Sequence, residues 1–120
     1  MSSLSTVVYT ILSIQSSVKL MHWTTKSYAT HQALGALYAA IEPRSDQLVE
    51  SMMGLGLDQK INMSGALTNW SAKSKDIPQS LVDMHDKLVS FRKSIDASLQ
   101  SILDEIVNEF RVAMFLCKMK

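Results

Sequence analysis

Apolar residues recur at steps of three and four from the start of the chain: Leu4, Val7, Ile11, Ile14, Val18 and Met21. That spacing puts them on one stripe of a helix, and Ser2, Ser3 and Ser5 are available to cap its start. His22 follows Val18 by four residues and extends the stripe. A second helix is predicted from about Tyr28, with His31, Leu34, Tyr38 and Ile41 on one side, then Leu48, Val49, Met52 and Met53. Along it Glu42, Asp46 and Glu50 stand at successive steps of four, an acidic line that is usually a solvated face. Pro43 sits inside this line. Its ring removes the backbone hydrogen bond to the Ala39 carbonyl and costs about 3 kcal/mol in an unbroken helix. The pattern therefore predicts a kink, or a break with Pro43 in the first turn of a new segment.

The stretch "GLGLDQKINMSGALTNWSAKSKDIP" collects glycines, polar residues and a proline. It reads as a connection from one end of the domain to the other, with a short helix at "SGALTNW" and Trp70 as an anchor. A third helix is predicted to begin near Pro78, a good first-turn residue, and carries Leu81, Met84, Leu88, Phe91 and Ile95 at coiled-coil spacing. Asp96 is placed to cap a fourth, whose stripe is Leu99, Ile102, Leu103, Ile106, Phe110, Ala113, Met114 and Cys117. Two helical hairpins joined by one long crossover predict an all-α four-helix bundle of ferritin-like connectivity. No strand pattern competes with it, and no internal repeat is present.

Composition narrows the picture. The chain has 120 residues, enough for one domain, residues 1–120, and too few for two cores of useful size. With 47% apolar and 19% charged residues, four Gly and two Pro, it reads as a packed helical protein and not a disordered tail. Twelve basic and eleven acidic residues give a net charge of +1 with no basic block, which argues against binding nucleic acid through its phosphates. Cys117 is the single cysteine, so no internal disulfide forms, and a reducing compartment is compatible with it. The opening "MSSLSTVVYTILSIQSS" lacks a basic start and an unbroken apolar core, so no signal peptide is expected. No window is expected to supply the ~20 apolar residues of a membrane span, and the expected location is cytoplasmic.

Chemistry concentrates in "KLMHWTTKSYATHQALGALYAAIEPRSDQLVE". The first two helices of a bundle lie side by side and can offer His22, His31, Asp46 and Glu50 to a shared space. Neutral imidazoles with carboxylates suit first-row metals such as iron, zinc or manganese. A histidine on an apolar stripe is more often a hydrogen-bonded core residue than a ligand, and the Glu-x-x-His pair of ferritin-type di-iron bundles is absent from every helix. His85, with acids on both sides in "DMHDKL", is expected to pair with a neighbouring carboxylate. Asp104, Glu105 and Glu109 are an acidic cluster whose default is a solvated face, and the eight methionines are core fillers. No nucleophile with a histidine base, phosphate-cradling glycine loop or CxxC is present.

"HWTTKSYATHQALGALYAAI" followed by "DQLVE" resembles the DNA-protection-during-starvation (Dps) branch of the ferritin superfamily. There a His-Trp near the end of the first helix precedes a second His and then Asp-x-x-x-Glu. The similarity continues through "MGLGLDQKINMSGALTNWSAK", "LVDMHDKLVSF" and "ILDEIVNEFRVAMFLCK", and so covers almost the whole chain; the length matches compact versions such as those carried by phages. By this resemblance His22 and His31 are the histidine ligands, Asp46 and Glu50 the paired carboxylates, and Trp23 packs beside the site. It further implies that the histidines of one subunit meet the carboxylates of its two-fold partner, in a homo-oligomer that is a dimer at least and a twelve-subunit cage in full. The implied activity is ferroxidase: Fe(II) oxidised by peroxide or dioxygen and stored as ferric mineral, against oxidative damage. The family also has a carboxylate where this chain has Gly35, so a second metal position here lacks a charged ligand. A shorter link between His22 and His31 implies a tighter turn. The alternative is a bundle that keeps the fold without metal chemistry, as a structural or interaction module. DNA compaction rests on the family name alone, and the uncharged "MSSLST" start argues against tight DNA binding.

Overall fold

The computed structural model describes residues 4–56 and 76–119. Within them the chain is all-helical, with four α-helices packed against one another: α1 (Leu4–Thr24), α2 (Tyr28–Gly54), α3 (Ile77–Ser90) and α4 (Gln100–Cys117). α2 packs against both α1 and α4, α3 packs against α4, and α1 meets α3 only lightly. The expected crossover helix at residues 64–70, Trp70 within it and the caps Ser2 and Ser3 lie outside the described residues.

Each helix buries most of the stripe that its spacing marks out, with Met21, Tyr38, Val49, Met53, Ile102, Met114 and Cys117 only partly buried against it. Leu4, Val7, Ile11, Ile14 and Val18 of α1 meet Leu34, Ile41, Leu48 and Met52 of α2, Leu81, Met84 and Leu88 of α3, and Leu103, Ile106 and Phe110 of α4 in one core. Removing such side chains from water is the main stabilising term of a small bundle. Among the described residues, α1 is the one helix long and apolar enough for a membrane span by length and composition, contrary to the expectation from the sequence. Half of that stretch is buried inside the bundle, as a core helix requires.

The helix ends follow their caps. Ser27 starts α2, its hydroxyl accepting from the Thr30 amide at 3.2 Å. Asp76 starts α3, its carboxylate accepting from the Gln79 amide at 3.1 Å, and Pro78 stands in the first turn where no amide donor is needed. Gly56, with φ +75, is the left-handed residue just beyond α2. α3 stops at Ser90, earlier than its apolar stripe predicts. Phe91, the residue that caps the end of α3, and Ile95 remain buried, one on each side of a 3-10 turn, Arg92–Ser94. Asp96 then caps a second such turn, Ala97–Leu99, which leads into α4.

The break expected at Pro43 does not occur. α2 runs without interruption from Tyr28 to Gly54 with Pro43 inside it. Ala39 and Pro43 are both exposed, so water can take the carbonyl that loses its amide partner. One residue further on, the Arg44 guanidinium donates to the Ala40 carbonyl at 2.7 Å.

Candidate functional site

α1 and α2 form a hairpin whose turn is only Thr25–Ser27. Thr25 Oγ1 accepts from the Ser27 amide at 3.2 Å, and the Ser27 carbonyl accepts from the His31 amide at 2.9 Å. This tight turn brings His22, near the end of α1, against His31, near the start of α2. The two imidazoles stack with centroids 3.9 Å apart and planes 14° from parallel.

Their hydrogen bonds are reciprocal. Nδ1 of His22 donates to the carbonyl of His31 at 2.7 Å, and Nδ1 of His31 donates to the carbonyl of His22 at 2.7 Å. A carbonyl oxygen only accepts, so each ring must carry a proton on Nδ1. In the neutral form each Nε2 is then a bare lone pair, the arrangement in which a histidine binds a metal while its other nitrogen is held by a backbone carbonyl. One half of this clasp also serves the fold. The His22 carbonyl is among the last four of α1, which lack amide partners within the helix, and His31 supplies a donor.

The fit depends on Gly35. A Cβ built there would lie 2.9 Å from Cε1 of His22, closer than real side chains pack, and 3.3 Å from its Nδ1, a tight contact. Beside the pair, the Lys19 ammonium stands 5.4 Å from the Trp23 ring centroid and 4.6 Å from that of Tyr38, within cation–π range. Trp23 and Tyr28 are 64% and 75% exposed at this end of the hairpin, so neither is closed over by its own chain.

Asp46 and Glu50 are elsewhere on the molecule. Both are exposed on α2, fifteen and nineteen residues beyond His31. At 1.5 Å per residue that is about 22 and 28 Å along the axis. Among the described residues of one chain, no group of three or more His, Cys, Asp or Glu side chains gathers to hold a metal. The chain thus brings His22 and His31 together and leaves the two carboxylates apart from them.

The remaining conspicuous groups take ordinary roles. His85 Nδ1 donates to Asp86 at 2.9 Å and its Nε2 accepts from Arg111 Nε at 3.1 Å, so the expected carboxylate pairing is present and both ring nitrogens are engaged. In the acidic cluster Asp104 takes both ends of the Arg92 fork, at 2.9 and 3.1 Å. Those hydrogen bonds hold the Asp104 carboxyl below the usual carboxylate range. Glu105 and Glu109 face Arg44, each at 3.8 Å, too far for hydrogen bonds. Burial pushes the Cys117 thiol up, partly offset by a hydrogen bond with Thr30.

Gly35, Lys19 and the arginine partners of the acids are the features that spacing alone does not reveal. For Gly35 a signal exists, since a glycine inside an otherwise good helix weakens it and calls for a packing reason. No curated protein and no solved structure matches the chain. A family of unknown function, DUF5856, matches residues 22–116, a span that contains His22, His31, Asp46 and Glu50. With most of its length inside that match, the chain belongs to the DUF5856 family.

Proposed function

We propose that the chain is a Dps-like, ferritin-type bundle that oxidises Fe(II) at a site shared by two copies, where His22 and His31 of one meet Asp46 and Glu50 of the other. The observation that carries this reading is a length. On an unbroken α2 the carboxylates lie about 22 and 28 Å past His31, beyond the reach of any side chain. Two α2 helices laid antiparallel about a two-fold axis near Ala39 bring residue 31 of each opposite residues 46–50 of the other. The line Tyr28, His31, Gly35, Ala39, Glu42, Asp46 runs at steps of three and four, as such a contact needs, exposed at Tyr28, Ala39, Glu42 and Asp46 and half-buried at His31 and Gly35. Ala36 and Ala39 are exposed at its middle, where small side chains allow two helices to approach closely. A second copy would also cover part of the exposed Leu20, Trp23 and Tyr28.

The donor set suits the substrate. Two neutral nitrogens and two carboxylates favour a first-row divalent ion such as iron, with zinc and manganese as competitors. The carboxylates balance the charge that iron gains in passing from Fe(II) to Fe(III). Each Fe(II) gives up one electron; a pair of electrons reduces one peroxide to two hydroxides, which enter the ferric mineral, and dioxygen is the alternative acceptor. The α1–α2 and α3–α4 hairpins, separated by one long connection, support ferritin-like connectivity, and a twelve-subunit cytoplasmic cage completes the proposal.

A second reading is favoured by the clasp itself, which gives both histidines a structural task without any metal. In that reading the bundle is an interaction module. Fe(II) oxidation measured with the parent chain and with His22→Ala separates the two. The ferroxidase reading expects rapid oxidation by the parent and the uncatalysed rate for the variant; equal slow rates overturn it.

A further inference from the structure

We infer that Gly35 is the positioning residue of the histidine pair: the space left by its missing side chain sets the tautomer of His22 and so leaves its Nε2 without a proton. This deepens the metal-site reading and rests on it for its purpose, although the geometry stands without a metal. His31 and Gly35 are four residues apart in α2, so a side chain at 35 would rise over the His31 carbonyl. That carbonyl is the oxygen which His22 Nδ1 must reach, and does reach at 2.7 Å. The three atoms that a Cβ built at Gly35 would meet first all belong to His22: Cε1 at 2.9 Å, Nδ1 at 3.3 Å and Nε2 at 3.7 Å. Both the Nδ1 bond and the ring stacking thus depend on an empty position 35. A free histidine, by contrast, divides its proton between the two nitrogens, and a proton on Nε2 blocks metal binding there.

Two measurements on the full chain, made without metal, test the inference. Long-range 15N–1H spectra of the imidazoles are expected to show His22 and His31 with the proton on Nδ1 in the parent. In Gly35→Ala, His22 loses that signature and shifts toward the mixture of a free side chain. Thermal unfolding gives the second measurement. Alanine favours a helix over glycine, so at a position with no steric demand Gly35→Ala raises Tm. The expected result is a lower Tm in the parent background and a higher Tm in the His22→Ala background, a reversal of sign that traces the clash to the His22 ring. The inference is overturned if Gly35→Ala raises Tm in both backgrounds with the His22 tautomer unchanged. It is also overturned if the substitution alters only the oligomeric state, which would assign Gly35 to the approach of a second copy. Neither measurement contains iron, so a failed oxidation assay with both results as expected rejects the ferroxidase and leaves the positioning role standing.

Discussion

His31 and Asp46 stand fifteen residues apart on one unbroken helix, and about 22 Å separates them along its axis. A site that uses both must therefore be built from two chains. Complementation gives the direct test. His22→Ala and Glu50→Ala are each expected to abolish Fe(II) oxidation. In a two-fold dimer of one variant with the other, one of the two sites carries both defects and its mate carries none. Co-refolded in equal amounts, the variants should recover about a quarter of the parent rate, because random pairing makes half of the dimers mixed. A rate that stays at the uncatalysed level would overturn the two-chain site.

The centre of the pairing is predicted by the same register. Ala39 is exposed and lies midway between the histidine and carboxylate ends of α2. Arginine is a good helix former at an exposed position, so Ala39→Arg should leave the circular dichroism spectrum and Tm of the single chain nearly unchanged. Its bulk and charge would meet their own copies across the axis and prevent close approach. Size-exclusion chromatography should show the parent as an oligomer and the variant as a monomer, with oxidation lost in parallel. An oligomer that survives with full activity would move the axis away from α2.

Much of this architecture was readable in the chain because a helix leaves a periodic trace. Leu81, Met84 and Leu88 mark a helix face whatever they pack against, and Pro78 after Asp76 marks where it starts. The trace fails where burial no longer needs a helix. Phe91 and Ile95 continue the stripe in sequence, yet they enter the core from the two ends of a 3-10 turn. Pro43 misleads for a related reason, since its cost is local and an exposed carbonyl can turn to water. Of the proposed site, the four residues stand in the sequence and the resemblance alone implied that the carboxylates serve a second copy; their distance from the histidines within one chain depended on whether α2 continued through Pro43. The histidine clasp left only a faint trace, in the short link between His22 and His31. Its acceptors are backbone carbonyls, which every residue has, and only Gly35 hints that something presses against the helix.

The acidic cluster supplies a prediction in pH. Asp104 is held below the ordinary carboxylate range by the Arg92 hydrogen bonds, so its folded-state value lies beneath the unfolded value of about 3.9. A depressed carboxylate stabilises the fold at pH above the unfolded value and loses that contribution as pH falls through the folded one. Tm of the parent should exceed that of Asp104→Asn by a constant amount from neutral pH to about pH 5, and the gap should close in stronger acid. The pair is exposed, so the gap should be small and should shrink with added salt. Asp96, lowered by its bonds to Ser98, is present in both proteins and cancels from the comparison. A gap that persists unchanged down to about pH 2, below the ordinary carboxylate range, would mean that the amide harms the fold for some reason other than charge.

Pro43 sets stability against function most sharply. In an exposed helix interior, proline is less favourable than alanine by about 3 kcal/mol, although some of that cost is already relieved where water solvates the freed carbonyl. Pro43→Ala is therefore expected to stabilise the chain by about 1–3 kcal/mol, seen as a higher Tm or a higher denaturant midpoint with an unchanged slope. Asp46 lies less than one turn beyond the proline, so restoring the hydrogen bond from residue 43 to the Ala39 carbonyl should re-aim Asp46 and Glu50 relative to the histidine end of α2. In the proposed two-chain site these carboxylates would meet imidazoles carried by the opposite copy, and a small change in helix direction is multiplied by the distance to them. The expected variant is more stable and slower: Tm rises while Fe(II) oxidation falls by about tenfold, the trade that follows when a locally unfavourable residue is retained for geometry. A variant that is both more stable and equally fast would show that Pro43 has no part in aiming the carboxylates.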